Sequence, residues 1–175
     1  MLALDDSIAE GHVLLGDFYS IQGEYEKAIA EGERAISPNP RLSQAYSSYA
    51  NSLRYAGRSE EAIPMMQKAT RFCPVSGLNL YLPIGDTLRD TGRYEEAVSA
   101  CKKALQRSPD SMIAHLRLAT TYSMMGREKE AHAEVPEVLR INPKSSLDYY
   151  AKTIAYKDQK VTNNNIDALR KAGLK

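Results

Sequence analysis

"GEYEKA" at Gly23–Ala28, "GRSEEA" at Gly57–Ala62, "GRYEEA" at Gly92–Ala97 and "GREKEA" at Gly126–Ala131 are four versions of one phrase. Their glycines stand 34, 35 and 34 residues apart. A fixed period in this range marks an architecture of stacked repeats rather than a single irregular core. The residues around each phrase show what one repeat contains. From Ala9 to Leu42, Val13, Leu14 or Leu15, Phe18 and Ile21 fall at helical spacing, and so do Tyr25, Ala28, Ile29, Gly32, Ala35 and Ile36. Both stretches therefore read as amphipathic helices. Gly23 separates them, because glycine enters the left-handed conformation that closes a helix without a Cβ penalty. The "SPNP" at Ser37–Pro40 ends the second helix, since proline has no N–H to donate and pushes the residue before it out of helical geometry.

Each unit thus predicts helix, tight turn, helix and stop. Neither helix can bury its apolar stripe alone, so the units must stack. Small residues recur where two helices have to approach: Gly16, Ala28 and Ala35, then Ala50, Ala62 and Ala69, then Gly85, Ala97 and Ala104. The fourth unit supplies Ala119 and Ala131 and departs with Val138. Prolines 40, 74, 109 and 143 repeat as stops.

This pattern resembles the tetratricopeptide repeat (TPR) family, and Leu15, Gly16, Tyr19, Gly23, Tyr25, Ala28, Ala35 and Pro40 carry the resemblance in the first unit. The bulky residue of that family's first helix is represented by His12, Tyr46, Tyr81 and His115. The resemblance implies an all-α, right-handed TPR solenoid of four helix-turn-helix repeats with a C-terminal helical cap. The expected divisions are the tail of a preceding repeat at 1–8, repeats at 9–42, 43–77, 78–111 and 112–145, and capping helices at 146–175. The first ten residues align at the same period with "AISPNPRLSQ", which suggests a piece of a longer protein. In the last cap, Thr162 or an early Asn is expected to start the final helix, Ile166, Leu169 and Ala172 to face inward, and Gly173 to end it. Pro64 and Pro136 fall inside second helices and predict local kinks. The helix holding Pro83 is expected to begin late, with Pro83 in its first turn, or to bend there. The ending, "LRINPKSSLDYY" with "YKD" and "IDALRKAGL", is also similar to TPR regions of bacterial class III adenylate cyclase-like signalling proteins.

Bulk properties exclude several classes of function. The 175 residues carry a formal net charge of +1 with 26% charged residues, which indicates neither disorder nor a general polyanion binder. No apolar run approaches a bilayer span, and no basic region followed by a hydrophobic one opens the chain. Two cysteines, Cys73 and Cys101, stand too far apart for a metal knuckle or a redox pair, so a reduced, cytoplasmic setting is expected. The three histidines do not converge on carboxylates: His12 and His115 hold equivalent packing positions three repeats apart, and His132 reads as a second-helix surface residue. Cys101 reads as a small buried hydrophobe. Adjacent methionines at 65–66 and 124–125 read as core filling, one of each pair inward. No nucleophile elbow or phosphate loop occurs. No metal, no cofactor and no catalytic residues are therefore expected, and the chain reads as a non-enzyme.

In the TPR family the first helix of each repeat lines a concave groove that takes a partner protein segment. Carried onto this chain, the resemblance places Val13, Asp17 and Ser20, then Ser47, Asn51, Arg54 and Tyr55, then Leu82, Asp86 and Arg89 on that face. Asp17, Asn51, Arg54, Tyr55, Asp86 and Arg89 are the candidate partner-binding residues. Asn51 alone matches the family's clamp for carboxylate termini, which argues against a chaperone clamp. Arg54 and Arg89 share an offset, and guanidinium suits bidentate grip of carboxylates. A second reading fits equally: Asp86 pairs with Arg89 in a solvated bridge along its own helix. The first 36 residues hold eight acids and two bases, and residues 139–175 eight bases and three acids. Weak head-to-tail self-association through these ends is expected to be sensitive to salt. Without an aromatic-interleaved basic stripe, nucleic acid is not the expected partner. The functional expectation is a protein-interaction scaffold within a larger bacterial signalling protein. Its alternative is an intramolecular regulatory domain of a nucleotide cyclase-like enzyme.

Overall fold

The computed structural model of the protein describes residues 2–73, 78–153 and 156–175. These residues form ten α-helices and no strand. They divide into two compact units, the first made of residues 1–83 and 155–157, the second of 84–154 and 158–175. The proline stop at 74 lies outside the described residues.

Unit 1 holds α1 (Leu2–Ile21), α2 (Tyr25–Ile36), α3 (Ser43–Tyr55) and α4 (Ser59–Phe72). α1 packs on α2 and α3, α2 on α3, and α3 on α4. The boundary expected between residues 8 and 9 falls inside α1, which runs unbroken. The recurring phrase explains the pairing. Gly23 and Gly57 lie at φ 76° and 86°, and Gly92 and Gly126 repeat this in unit 2 at 75° and 72°. Such angles cost an L side chain free energy that glycine avoids. At the end of α3, Gly57 N–H donates to Arg54 O and Arg58 N–H to Leu53 O, a Schellman closure that satisfies two terminal carbonyls. The alanines then allow close approach: Ala28, Ala35, Ala50, Ala62 and Ala69 are fully buried. Gly32 marks the tightest contact, because a Cβ there would lie 2.9 Å from Tyr49 Cα.

The apolar stripe of α1 behaves differently from the amphipathic pattern. Val13 is buried against Ala35 and Ala45 and belongs to the core rather than to a groove. Leu14, Leu15, Phe18 and Ile21 are exposed, Leu14 at 68% and Ile21 at 75%. α1 turns its small side, Ala9, Gly16 and Ser20, toward α2 and α3, and the larger apolar side chains on the other flank stay exposed, Phe18 meeting the Tyr19 ring edge to face.

α5 (Leu78–Asp90) belongs to unit 2 from residue 84 onward, and unit 2 also holds α6 (Tyr94–Arg107), α7 (Met112–Met124), α8 (Glu128–Ile141), α9 (Leu147–Thr153) and α10 (Gln159–Lys171). α7 packs on α6, α8 and α10, and α10 also touches α9. Gly85 lets α5 close on α6, since a Cβ there would meet Cys101 Sγ at 3.0 Å. The three interior prolines leave their helices continuous. Pro64 and Pro136 lie within α4 and α8, and Pro83 falls in the second turn of α5 rather than its first.

α10 packs on α7, and the residues that follow it reach His132 on α8. Leu169, Ala172 and Leu174 are buried, and Ile166 half-buried. His132 Nδ1 donates to Ala172 O at 3.0 Å, and Leu147 N–H donates to Lys175 O at 3.0 Å. The start of α10 corrects the expected cap. Asp158 caps it, its carboxylate accepting from Lys160 N–H at 2.8 Å, while Thr162 lies one turn inside and is buried. A carboxylate at a helix start complements both the free N–H groups and the dipole, which favours Asp over a later hydroxyl. Gly173, at φ 95°, closes the helix as expected.

Candidate functional site: the first-helix faces

In unit 1 the candidate residues lie on α1 and α3. Asp17 accepts a hydrogen bond from Ser48 Oγ at 2.7 Å, tying the two helices across one repeat step. Ser20 Oγ and Ser52 Oγ make a second tie at 3.3 Å, one turn further along. Burial pushes the Asp17 carboxyl above its ordinary value, and the Ser48 hydroxyl only partly offsets this. Asn51 is half-buried, and its side-chain oxygen is shielded from solvent with no hydrogen-bond donor on it. A shielded acceptor of this kind is uncommon in folded proteins and suits a ligand donor.

Arg54 and Tyr55, at the end of α3, are not open to solvent as a bare groove would leave them. Arg54 is only 3% exposed. Its Nη1 donates to the Tyr156 hydroxyl, and its guanidinium lies 4.4 Å from the Tyr55 ring centre and 5.1 Å from that of Tyr156. The two rings meet edge to face at 5.5 Å and 78°. Lys157 N–H donates to Tyr55 O at 2.8 Å, and Lys157 Nζ stands 3.7 Å from Glu26 Oε1. Tyr156 to Asp158 is a non-helical stretch. The first-helix face of unit 1 therefore already holds a piece of non-helical polypeptide, Tyr156–Lys157. Spacing within the repeats could not reveal it, because the contact joins residues 102 positions apart.

In unit 2, Asp86 and Arg89 lie on one face of α5, as three-residue spacing requires. They are buried, and the pair is not the solvated bridge of the second reading. Arg89 Nη1 donates to Asp86 Oδ1 at 3.0 Å and Arg89 Nη2 to Asp90 Oδ1 at 3.1 Å. Arg117 on α7 completes the cluster, with Nε donating to Asp86 Oδ1 at 2.8 Å and Nη2 lying 2.6 Å from Oδ2. Arg117 occupies the place of Ser48 in its own repeat and Asp86 that of Asp17, so its bidentate grip on the preceding first helix is the ionic counterpart of the Ser48–Asp17 tie. Sequence reasoning missed it, although Asp86 and Arg117, 31 apart like Asp17 and Ser48, carried the signal.

The histidines do more than pack. His12 Nδ1 lies 2.6 Å from Glu31 Oε2, and His115 Nδ1 lies 2.6 Å from Glu134 Oε2. In both repeats a carboxylate on the second helix anchors the residue that stands in the bulky first-helix position. Among the described residues no cluster of three or more His, Cys, Asp or Glu could hold a metal ion, and no helix is long and apolar enough to cross a membrane.

The geometry common to both units is a first helix paired with a second through a positive-φ glycine and buried alanines, then tied to the next first helix by a polar contact. Tetratricopeptide-repeat profiles match residues 9–41 and 88–153. Those residues are tetratricopeptide repeats. Solved structures with the same TPR-like fold include pilF of Pseudomonas aeruginosa, 20% identical with a TM-score of 0.73, covering 98% of this chain and 79% of that one. PilW, a widely conserved type IV pilus biogenesis factor, is 19% identical with a TM-score of 0.73 over 94% and 74% of the two chains. A MamA protein is 17% identical with a TM-score of 0.65 over 94% and 90%. No curated protein matches the sequence. At these identities the likeness is one of fold, and the TPR repeats make this chain a member of a class of protein-interaction scaffolds.

Proposed function

We propose that the chain is a non-catalytic scaffold that holds an extended segment of a partner protein on the first-helix face of unit 1, as a module of a larger bacterial signalling protein. The observation that carries this reading is the non-helical pair Tyr156–Lys157, docked on Arg54 and Tyr55 by a backbone hydrogen bond and a ring. A face that holds non-helical chain from within the molecule has the groups needed to hold it from elsewhere. Asn51 supports it, since its shielded side-chain oxygen can accept from a ligand's backbone N–H. Asp17 and Tyr55 flank it on the same helices. Asp86 and Arg89 enter as a buried frame that fixes α5 against α7 and shapes the face in unit 2. Two cysteines outside any disulfide suit a reducing, cytoplasmic compartment. The signalling context, and the alternative of intramolecular control of a nucleotide cyclase-like domain, rest on the resemblance of the C-terminal stretch.

Site-specific photocrosslinking tests the assignment of the face. A crosslinker at Ser47, on the first-helix face, is expected to trap a partner segment in the cells of origin, and one at Lys103, on an exposed second-helix surface, is not. Asn51→Ala should reduce the Ser47 product severalfold at unchanged melting temperature. Trapping from Lys103 alone would place the partner on a second-helix surface of unit 2 and overturn the reading.

A further inference from the structure

The groups around Tyr156 and Lys157 define what kind of segment this surface selects. The carbonyl of Tyr55 is among the last four of α3, which have no partner inside the helix. Its neighbours at Ser52, Leu53 and Arg54 are taken by the N–H groups of Ala56, Arg58 and Gly57. Tyr55 O takes Lys157 N–H instead, at 2.8 Å. That bond reads backbone only, and any residue other than proline could make it. Selectivity comes from either side of it. On one side, the hydroxyl of Tyr156 accepts from Arg54 while its ring faces the Tyr55 ring and the guanidinium. A smaller side chain would leave the guanidinium uncovered, and a phenylalanine would remove the acceptor. On the other side, the Lys157 ammonium reaches toward the Glu26 carboxylate, both well exposed, so this contact tunes the site weakly.

We propose that Arg54, Tyr55 and Glu26 form a recognition site for a non-helical aromatic–basic pair, tyrosine followed by lysine, and that Tyr156–Lys157 is its internal occupant. A partner segment carrying the same pair binds only by displacing the chain's own. The internal pair is tethered, so it competes at an effective concentration in the millimolar range for a short connection. The apparent affinity of an external segment is lowered by the fraction of time the site is vacated. The proposal rests on the reading of this face as a partner surface, and its test needs no natural partner. Failure here would leave capture at Ser47 and Asn51 untouched.

The probe is a fluorescein-labelled peptide with the sequence of residues 152–160, "KTIAYKDQK", followed by anisotropy against the full chain. Tyr156→Ala is expected to bind it at least tenfold more tightly than the wild type, and a peptide with alanine in place of its tyrosine is expected to bind neither protein. Equal affinity for the two proteins would overturn the internal-occupant proposal. So would absence of binding to Tyr156→Ala at millimolar peptide, or undiminished binding of the alanine peptide. If Tyr156→Ala loses its helical signal, Tyr156→Phe removes only the hydroxyl on Arg54. Hydrogen exchange at the Lys157 amide should then accelerate severalfold, and unchanged protection would overturn the assignment of Arg54 as the selecting group.

Discussion

Replacing Asp86 by alanine removes a carboxylate that joins Arg89 on its own helix to Arg117 on α7. That carboxylate takes contacts of 3.0 Å from Arg89 Nη1, 2.8 Å from Arg117 Nε and 2.6 Å from Arg117 Nη2. The side chains of Arg89 and Asp86 are 3% and 5% exposed, and that of Arg117 22%. Water therefore screens these charges little, and the cost of the substitution is that of leaving buried guanidinium groups without their counter-charge. Breaking a buried pair in this way costs about 3–5 kcal/mol. Arg89 keeps a second acceptor in Asp90, at 3.1 Å, which places the expected loss toward the lower end. For a chain of this length about 1 kcal/mol moves the melting temperature by about 2–4 °C, so a fall of about 6–12 °C is expected. Circular dichroism at 222 nm at neutral pH measures it, and a double-mutant cycle with Arg117→Met should return a coupling above about 1 kcal/mol. Raising the salt should leave the loss nearly intact, because buried charges are screened much less than exposed ones. A melting temperature within about 2 °C of wild type would refute the reasoning and return the pair to the class of surface bridges.

Acid should act through Glu31, whose carboxyl burial alone would raise but which the hydrogen bonds from His12 and Arg34 hold below its ordinary value of 4.5. A depressed folded value stabilises the fold above pH 4.5, and this contribution is lost as pH falls through the folded value. Glu31→Gln should therefore cost about 1–2 kcal/mol near neutral pH and flatten the acid limb of a melting-temperature profile; an unchanged limb would remove Glu31 from the account. Native-state thiol titration at mildly alkaline pH should label Cys73 and spare Cys101, whose thiol is pushed up to about 12 by burial first and by the Asp86 charge second. Rapid modification of Cys101 without unfolding would contradict its place beneath Gly85. Light scattering at low ionic strength should show self-association that weakens as salt rises, with Phe18→Ser and Ile21→Ser reducing it by removing exposed apolar surface from the acidic end. A monomer at high concentration and low salt would rule this out.

The sequence by itself determined the repeat. A positive-φ glycine and the alanines that follow it are local requirements, imposed by backbone sterics and by the distance at which two helices can pack, so they must recur wherever the unit recurs. The same reasoning placed Gly173 at the end of α10 and Cys101 in the core. The fate of the polar and apolar side chains around that frame was decided only in the tertiary structure. Val13 and Phe18 are both apolar residues of α1, yet one enters the core and the other is exposed, because burial depends on which flank has a neighbour. Arg54 and Arg89 share an offset in the repeat and have different surroundings: one lies against the tyrosines at 55 and 156, the other in an ionic cluster with Asp86, Asp90 and, through Asp86, Arg117. The contact of Tyr156 with Arg54 joins residues 102 positions apart. No period or propensity encodes such a contact, because it forms only after the chain has closed a long loop whose entropic cost depends on length and hardly at all on the residues within it.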